Sequence, residues 1–138
     1  VKQATSLPVI VNGDICSRED AHIALEQSGA DGVMIGRGAY GKPWLLGQVM
    51  SDLAGGGGKP DPSMDEQLST ILEQYDAMQL LYGAQTGVNL ARKHIGWYTK
   101  GLPGSAEFRN RVNAQDDPKV VVEMLQDFYA PWLARSAA

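Results

Sequence analysis

Two short glycine-bearing segments have the residue types needed to bind an oxyanion. Asn12-Gly13-Asp14 follows the apolar run Val9-Ile10-Val11, and Gly36-Arg37-Gly38 follows Val33-Met34-Ile35. Glycine lets the main chain approach a phosphate closely, facing amides donate hydrogen bonds, and a following helix N-terminus adds a favourable dipole. Arg37 would add a charge-assisted, bidentate contact. Asn12 could donate from its amide or simply fix the loop. Asp14 is repelled by phosphate and is expected to order the loop instead. The competing reading is a pair of tight turns with caps, because glycine is common after strands. The recurrence of the pattern, once with an arginine, favours binding.

A second candidate is a basic cluster. Arg92, Lys93, Lys100, Arg109 and Arg111 stand against Glu107 alone between positions 92 and 111. Upstream, Asp61, Asp65, Glu66, Glu73 and Asp76 form an acidic stretch without a base. On a helix, Lys93 and Lys100 fall on one face roughly opposite Ile95. Such a patch suits the phosphates of a nucleic acid. The alternatives are a solvated face and pairing with the acidic helix.

Other reactive types carry weaker signals. His94 sits beside Ala91 and Tyr98 on the helical wheel, which predicts a packed, hydrogen-bonded imidazole rather than a catalyst. His22 has no signalled partner. Cys16, the single cysteine, is expected to be small and at least partly buried, although a thiol near the loop could react. Trp44, Trp97 and Trp132 read as core or interface anchors, with Trp97 also placed to stack on a base. No metal-ligand spacing, nucleophile elbow or P-loop is present.

The elements that must position these residues fall into two parts. Residues 1–54 read as strand, helix, strand, helix. The two apolar runs look like strands covered on both faces. Ser17 to Asp20 fits a capping box, Gly29 a left-handed stop, and Pro43 the first turn of the next helix. A series of this kind implies parallel pairing. Two strands alone leave open edges that invite self-association, so these residues look like the end of a larger sheet or barrel. Residues 55–60, four glycines then Lys59-Pro60, read as a linker. Residues 61–138 read as helical. Met64, Leu68, Ile71, Tyr75, Met78 and Tyr82 make one stripe; Val88, Ala91, Ile95 and Tyr98 make a second. A short helix over 106–112 follows, then a last helix capped by Asp117-Pro118 with Val121, Leu125, Phe128 and Trp132 inward. Four such helices imply a small bundle.

Composition sets the outer bounds. The 138 residues are 43% hydrophobic and 20% charged, ordinary for a globular protein with a core. The net charge of −4 excludes a uniformly basic nucleic-acid coat. One cysteine excludes an internal disulfide framework. No apolar run approaches the roughly 18 residues of a membrane span. A reducing, cytoplasmic setting is expected.

Pro8-Val-Ile-Val-Asn-Gly-Asp-Ile15, Gly32-Val-Met-Ile-Gly-Arg-Gly-Ala39, Pro43-Trp44 and Ala91-Arg-Lys-His-Ile-Gly-Trp-Tyr-Thr-Lys-Gly101 resemble the C-terminal portion of the tRNA-dihydrouridine synthases, closest to their bacterial B-type branch. The strand motifs also occur in other flavin barrels; the Arg-Lys-His-x-x-x-Tyr stretch is more specific. The resemblance implies an FMN-binding TIM-type (β/α)8 barrel, represented here by its last two βα units, followed by a helical domain that grips tRNA. It implies NADPH as reductant and uridine in tRNA as substrate. Asn12, Gly13, Asp14, Gly36 and Arg37 would line the FMN phosphate. Arg92, Lys93, Lys100, Arg109 and Arg111 would meet the tRNA backbone. The family's catalytic cysteine, lysine and histidine belong to earlier strands, and Cys16 does not match that cysteine's motif. No catalytic residue is therefore expected in this chain, and no membrane or DNA partner. The other functional class is a non-catalytic helical module that binds RNA or protein.

Overall fold

The structure, a computed structural model, describes residues 1–136. The chain divides into two compact units, Val1–Asp61 and a second that begins at Pro62.

The first unit contains strand β1 (Ile10–Asn12), helix α1 (Arg18–Ser28), strand β2 (Gly32–Met34) and helix α2 (Trp44–Leu53), with 3-10 turns at Lys2–Ala4 and Arg37–Ala39. The strands pair in parallel, with Ile10, Val11 and Asn12 opposite Gly32, Val33 and Met34. Asp31 fixes where they start. Its carboxylate accepts from the Lys2 ammonium and from the Val9 amide, both at 2.7 Å. Those bonds, the lysine's first, hold its pKa below the usual carboxylate value. Helix α1 opens with one half of the expected capping box: the Ser17 hydroxyl accepts from the Asp20 amide at 3.0 Å, but the Asp20 carboxylate does not close it on the Ser17 amide. The Asp20 carboxylate turns back to the Cys16 amide at 3.0 Å, and this bond is the main reason its pKa is lowered. Gly29, at φ +64, ends the helix.

The core of this unit is Ile15, Ala21, Leu45 and Val49, with Ala24, Val33 and Ile35 packed against it. The strands are therefore covered on one face, not on both as their apolar runs predicted. Side chains alternate across a strand. Val33 and Ile35 meet the helices, whereas Ile10 and Met34, on the other face, stay 57% and 56% exposed. Cys16 also differs from expectation: it is exposed. It follows Ile15, which takes the inward place.

The glycine-rich stretch is tied back to the helices before it. The buried Gln48 amide donates to Pro60 O and Asp61 Oδ1, both at 3.0 Å. The Trp44 indole N–H donates to Asp61 at 3.2 Å, and Arg18 donates to Lys59 O at 3.2 Å while pairing with Asp52. At Gly38 two loops cross. A Cβ there would fall onto the Ile15 carbonyl oxygen and lie 2.9 Å from Cys16 Cα.

The second unit holds α3 (Met64–Tyr82), α4 (Ala84–Tyr98), α5 (Ser105–Asn113) and α6 (Pro118–Ser136). A full capping box starts α3: Ser63 and Glu66 exchange side-chain to backbone bonds. Gly83, at φ +79, turns the chain into α4. Helix α3 packs along α4 and α6, and α5 packs against α4 and α6. Gly87 permits a close α3–α4 crossing, since a Cβ there would lie 2.7 Å from Gln79 Cα. Leu68, Ile71 and Tyr75 of the α3 stripe are buried, as are Val88, Ala91, Ile95 and Tyr98 of α4. Two expectations need correction. Tyr82, at the end of the α3 stripe, is 51% exposed. On α6 the innermost row is Val121, Leu125 and Tyr129. Phe128 and Trp132 form a half-buried second row, with Phe128 stacked on Phe108 at 4.2 Å. A four-residue step keeps Tyr129 in line with Leu125, and the aromatic pair fills the flank toward α5. No described helix is long and apolar enough to cross a membrane.

Arg92 of α4 locks the turn between α5 and α6. Its Nη2 donates to Gln115 O at 2.9 Å and to Asp116 Oδ1 at 2.7 Å, and its buried Nε has no hydrogen-bond partner among the described residues.

Two stability measurements check this account. Gly38→Ala should destabilise the first unit by about 1–3 kcal/mol in urea titration, because the added methyl group overpacks a backbone crossing. Arg92→Ala should cost the second unit about 1–3 kcal/mol by losing a half-buried charged donor. Asp116→Ala should cost less than about 1 kcal/mol, since its carboxylate is largely exposed.

Candidate functional site

The two glycine loops leave the C-terminal ends of adjacent parallel strands and meet. Asn12, Gly13, Asp14, Gly36 and Arg37 line one open cleft of about 370 Å³, floored by Ile15 and Gly38. All five residues expected at a phosphate are thus brought together. A Cβ added at Gly13 or Gly36 would meet no atom within 4 Å, so the main chain there is open to the cleft. The obligatory glycine is Gly38, whose close approach to Ile15 joins the loops. Asp14 takes a left-handed conformation, φ +39, and its Oδ1 accepts from Arg37 Nη2 at 2.8 Å. Asp14 thus pairs with the arginine of the neighbouring loop. The side chains of Arg37 and Asp14 are 79% and 83% exposed, so the pair is worth at most about 1 kcal/mol and can rearrange around an anion.

The cleft presents open glycine backbone, one exposed guanidinium and one side-chain amide, groups of the kind that bind an oxyanion. Among the described residues no group of three His, Cys, Asp or Glu could hold a metal.

In the second unit the basic cluster divides. Lys93 and Lys100 are exposed on one face of α4 and just beyond its end. Gly96 lies between them on that face, and the Arg109 stem covers it: a Cβ on Gly96 would sit 3.4 Å from Arg109 Cδ. Arg109 thereby joins the two lysines. Among the described residues, Lys93, Lys100, Arg109 and Arg111 form no ion pair, so the expected alternative of pairing with the acidic helix is not realised there. Arg111 points elsewhere, into a groove shared with Glu107, Asp127, Phe128 and Trp132. Two residues along a helix turn a side chain by about 200°, which separates it from Arg109. Arg92 is engaged with the α5–α6 turn.

His94 is packed, as its wheel position predicts. Its Nδ1 lies 3.1 Å from Gln74 Nε2, and its ring meets Trp97 edge-on at 5.0 Å. Burial pushes its pKa down. Gln74, which is not among the sequence candidates, also accepts from the Tyr98 hydroxyl at 2.8 Å. The signal that could have found it is its place on α3 three residues from Ile71, on the flank of the buried stripe.

Comparison with known proteins bears on both regions. The family model for dihydrouridine synthase (Dus) matches residues 1–131. A probable tRNA-dihydrouridine synthase of Rickettsia bellii is 52% identical over 135 residues, covering 98% of this chain and 41% of the relative. That of Rickettsia typhi is 54% identical over 129 residues, 94% of this chain and 39% of the relative. The tRNA-dihydrouridine synthase B of Xanthomonas axonopodis pv. citri is 42% identical over 134 residues, 97% and 40% of the two chains. The chain spans about two-fifths of the length of these curated relatives. With a family match running through both the strand-end cleft and the basic helix, the chain belongs to the dihydrouridine synthase family.

Proposed function

We propose that this chain is the C-terminal portion of a flavin-dependent enzyme that reduces uridine to 5,6-dihydrouridine in tRNA. In this reading, β1–α1 and β2–α2 are the last two units of a TIM-type (β/α)8 barrel, and α3 to α6 form the tRNA-binding bundle. The observation that carries it is the single cleft formed by Asn12-Gly13-Asp14 and Gly36-Arg37-Gly38 at the same ends of adjacent parallel strands. Ligands of parallel barrels bind at that end, often with a phosphate at the last two loops. The bare sheet face at Ile10 and Met34 supports a larger barrel, as does the greater length of the relatives.

When bound, FMN reduced by NADPH supplies the hydride for the C5–C6 double bond of uridine. The residues of this chain hold and orient. Gly13 and Gly36 let the backbone reach the phosphate. Arg37 would neutralise its charge with a charge-assisted contact. Asn12 donates from its amide. Lys93, Lys100 and Arg109 neutralise tRNA phosphates. Arg92 sets the α5–α6 turn, and Arg111 provides a more distant positive charge. The chain contributes no proton donor to the base, and by itself it is expected to be inactive.

The test uses the whole parent enzyme. Arg37→Ala should weaken FMN retention about tenfold or more, as loss of a charged hydrogen bond predicts, read from flavin absorbance after dialysis. A parent protein that purifies without flavin and leaves uridine unreduced overturns the proposal. For the helices, the 138-residue chain should bind tRNA less tightly as salt rises. Lys93→Ala/Lys100→Ala should flatten that dependence by roughly 0.7–0.9 in log–log slope for each phosphate no longer neutralised. An unchanged slope removes the two lysines from the interface.

A further inference from the structure

Helix α2 carries more apolar surface than the described residues cover. Leu45 and Val49 belong to the core of the first unit, whereas Leu46, Met50 and Leu53 are 44%, 71% and 42% exposed. Single exposed leucines need no explanation, but these three recur at helical spacing and make one stripe. At about 100° per residue they fall within roughly 60° of one another and adjoin Leu45 and Val49. The other flank of the helix is already engaged. Gln48 donates to Lys59 O, Pro60 O and Asp61 Oδ1, and Asp52 pairs with Arg18 of α1. Gln48 and Asp52 lie about 150° around the helix from the centre of the bare stripe. The stripe therefore faces away from α1, and it continues the core of the unit rather than standing apart from it. The sheet beneath is open on both edges, with β1 and β2 its only strands among the described residues.

We propose that the stripe of Leu46, Met50 and Leu53 is the closing seam of the parent barrel, covered by the helix of the barrel's first βα unit. The proposal rests on the barrel reading given above and adds to it the surface at which the two ends of the barrel meet. In a (β/α)8 barrel the helices form a ring outside the strands, so the helix of the last unit stands between those of the seventh and the first. Helix α1 packs on α2 and takes the first of those places. Right-handed crossovers step each helix around the ring in one direction, so the other neighbour of α2 lies on the side away from α1, where the stripe is. That neighbour belongs to an earlier part of the parent chain, and this chain spans only about two-fifths of its relatives, which leaves ample length for it. Three partly exposed side chains offer far less than the roughly 800 Å² per partner of a standard interface, so a neighbour within the same barrel fits better than a second copy.

Methionine oxidation by dilute peroxide reads the barrel and its seam separately, because Met34 lies on the bare sheet face and Met50 on the stripe. Both are followed by mass spectrometry in the native parent and in the 138-residue chain. Both should oxidise readily in the 138-residue chain and about tenfold more slowly in the monomeric parent. Met50→Ser should lower the melting temperature of the parent by about 4 °C or more, and that of the 138-residue chain by less than about 2 °C. Met34 protected with Met50 exposed in the parent, or a melting shift no larger in the parent than in the 138-residue chain, overturns the seam and leaves the barrel standing. Both methionines exposed in the parent overturns the barrel reading, and the proposal with it. Protection of Met50 already in the 138-residue chain, or protection lost when a parent oligomer is diluted to monomer, assigns the stripe to this chain's own residues or to a second copy and overturns the proposal. None of these readouts uses flavin loading or tRNA, so a failure of the enzymatic reading stays distinguishable.

Discussion

Helix α4 divides its circumference between two neighbours and solvent, and the chemistry of the second unit depends on that division. One side, at Val88, Ala91, Ile95 and Tyr98, is buried. The crossing with α3 is close because Gly87 has no side chain to hold Gln79 away. Another side meets α5 through the Arg109 stem on Gly96. The arc left over carries Lys93 and Lys100. A side chain at Gly87 would push α3 outward, since its Cβ would lie 2.7 Å from Gln79 Cα, whereas at Gly96 a Cβ would only touch the Arg109 stem. Close packing transmits such changes, because protein interiors have little void to absorb them.

The same logic sets the cleft of the first unit. Its binding potential comes from main chain more than from side chains, so the geometry must come from where the loops are anchored. Asp31 aligns the starts of the strands, and the parallel register carries that alignment to Asn12 and Met34. Gly38 then brings the second loop onto Ile15. Arg37 and Asp14 respond to this frame; their pair is exposed and weak, so it contributes little to holding the loops together.

Charge in this protein is placed by partners as much as by sequence. Five basic residues lie within twenty positions, yet they take three different situations. Arg92 is drawn in by the carbonyl of Gln115 and the carboxylate of Asp116. Arg111 sits in a groove with Glu107 and Asp127. Lys93, Lys100 and Arg109 share one surface. A long side chain follows the nearest desolvated acceptor or apolar support, and neither is visible in a linear count of charges.

Sequence alone determined the order and type of the elements. Local rules suffice for that: the Ser17 cap, the left-handed Gly29, the turn at Gly83, the Asp117-Pro118 start and the three- and four-residue apolar steps each act within one or two turns. It also determined that the two glycine loops fall at equivalent strand ends, because parallel pairing leaves no other place for them. Tertiary structure decided what depends on neighbours distant in the chain. It left Ile10 and Met34 bare, chose Tyr129 over Phe128 and Trp132 for the innermost row of α6, turned Arg92 inward and tied Gln74 to His94 and Tyr98. Helical spacing limits which residues can share a face. Which flank of that face is covered, and by which partner, is fixed only when the helices pack.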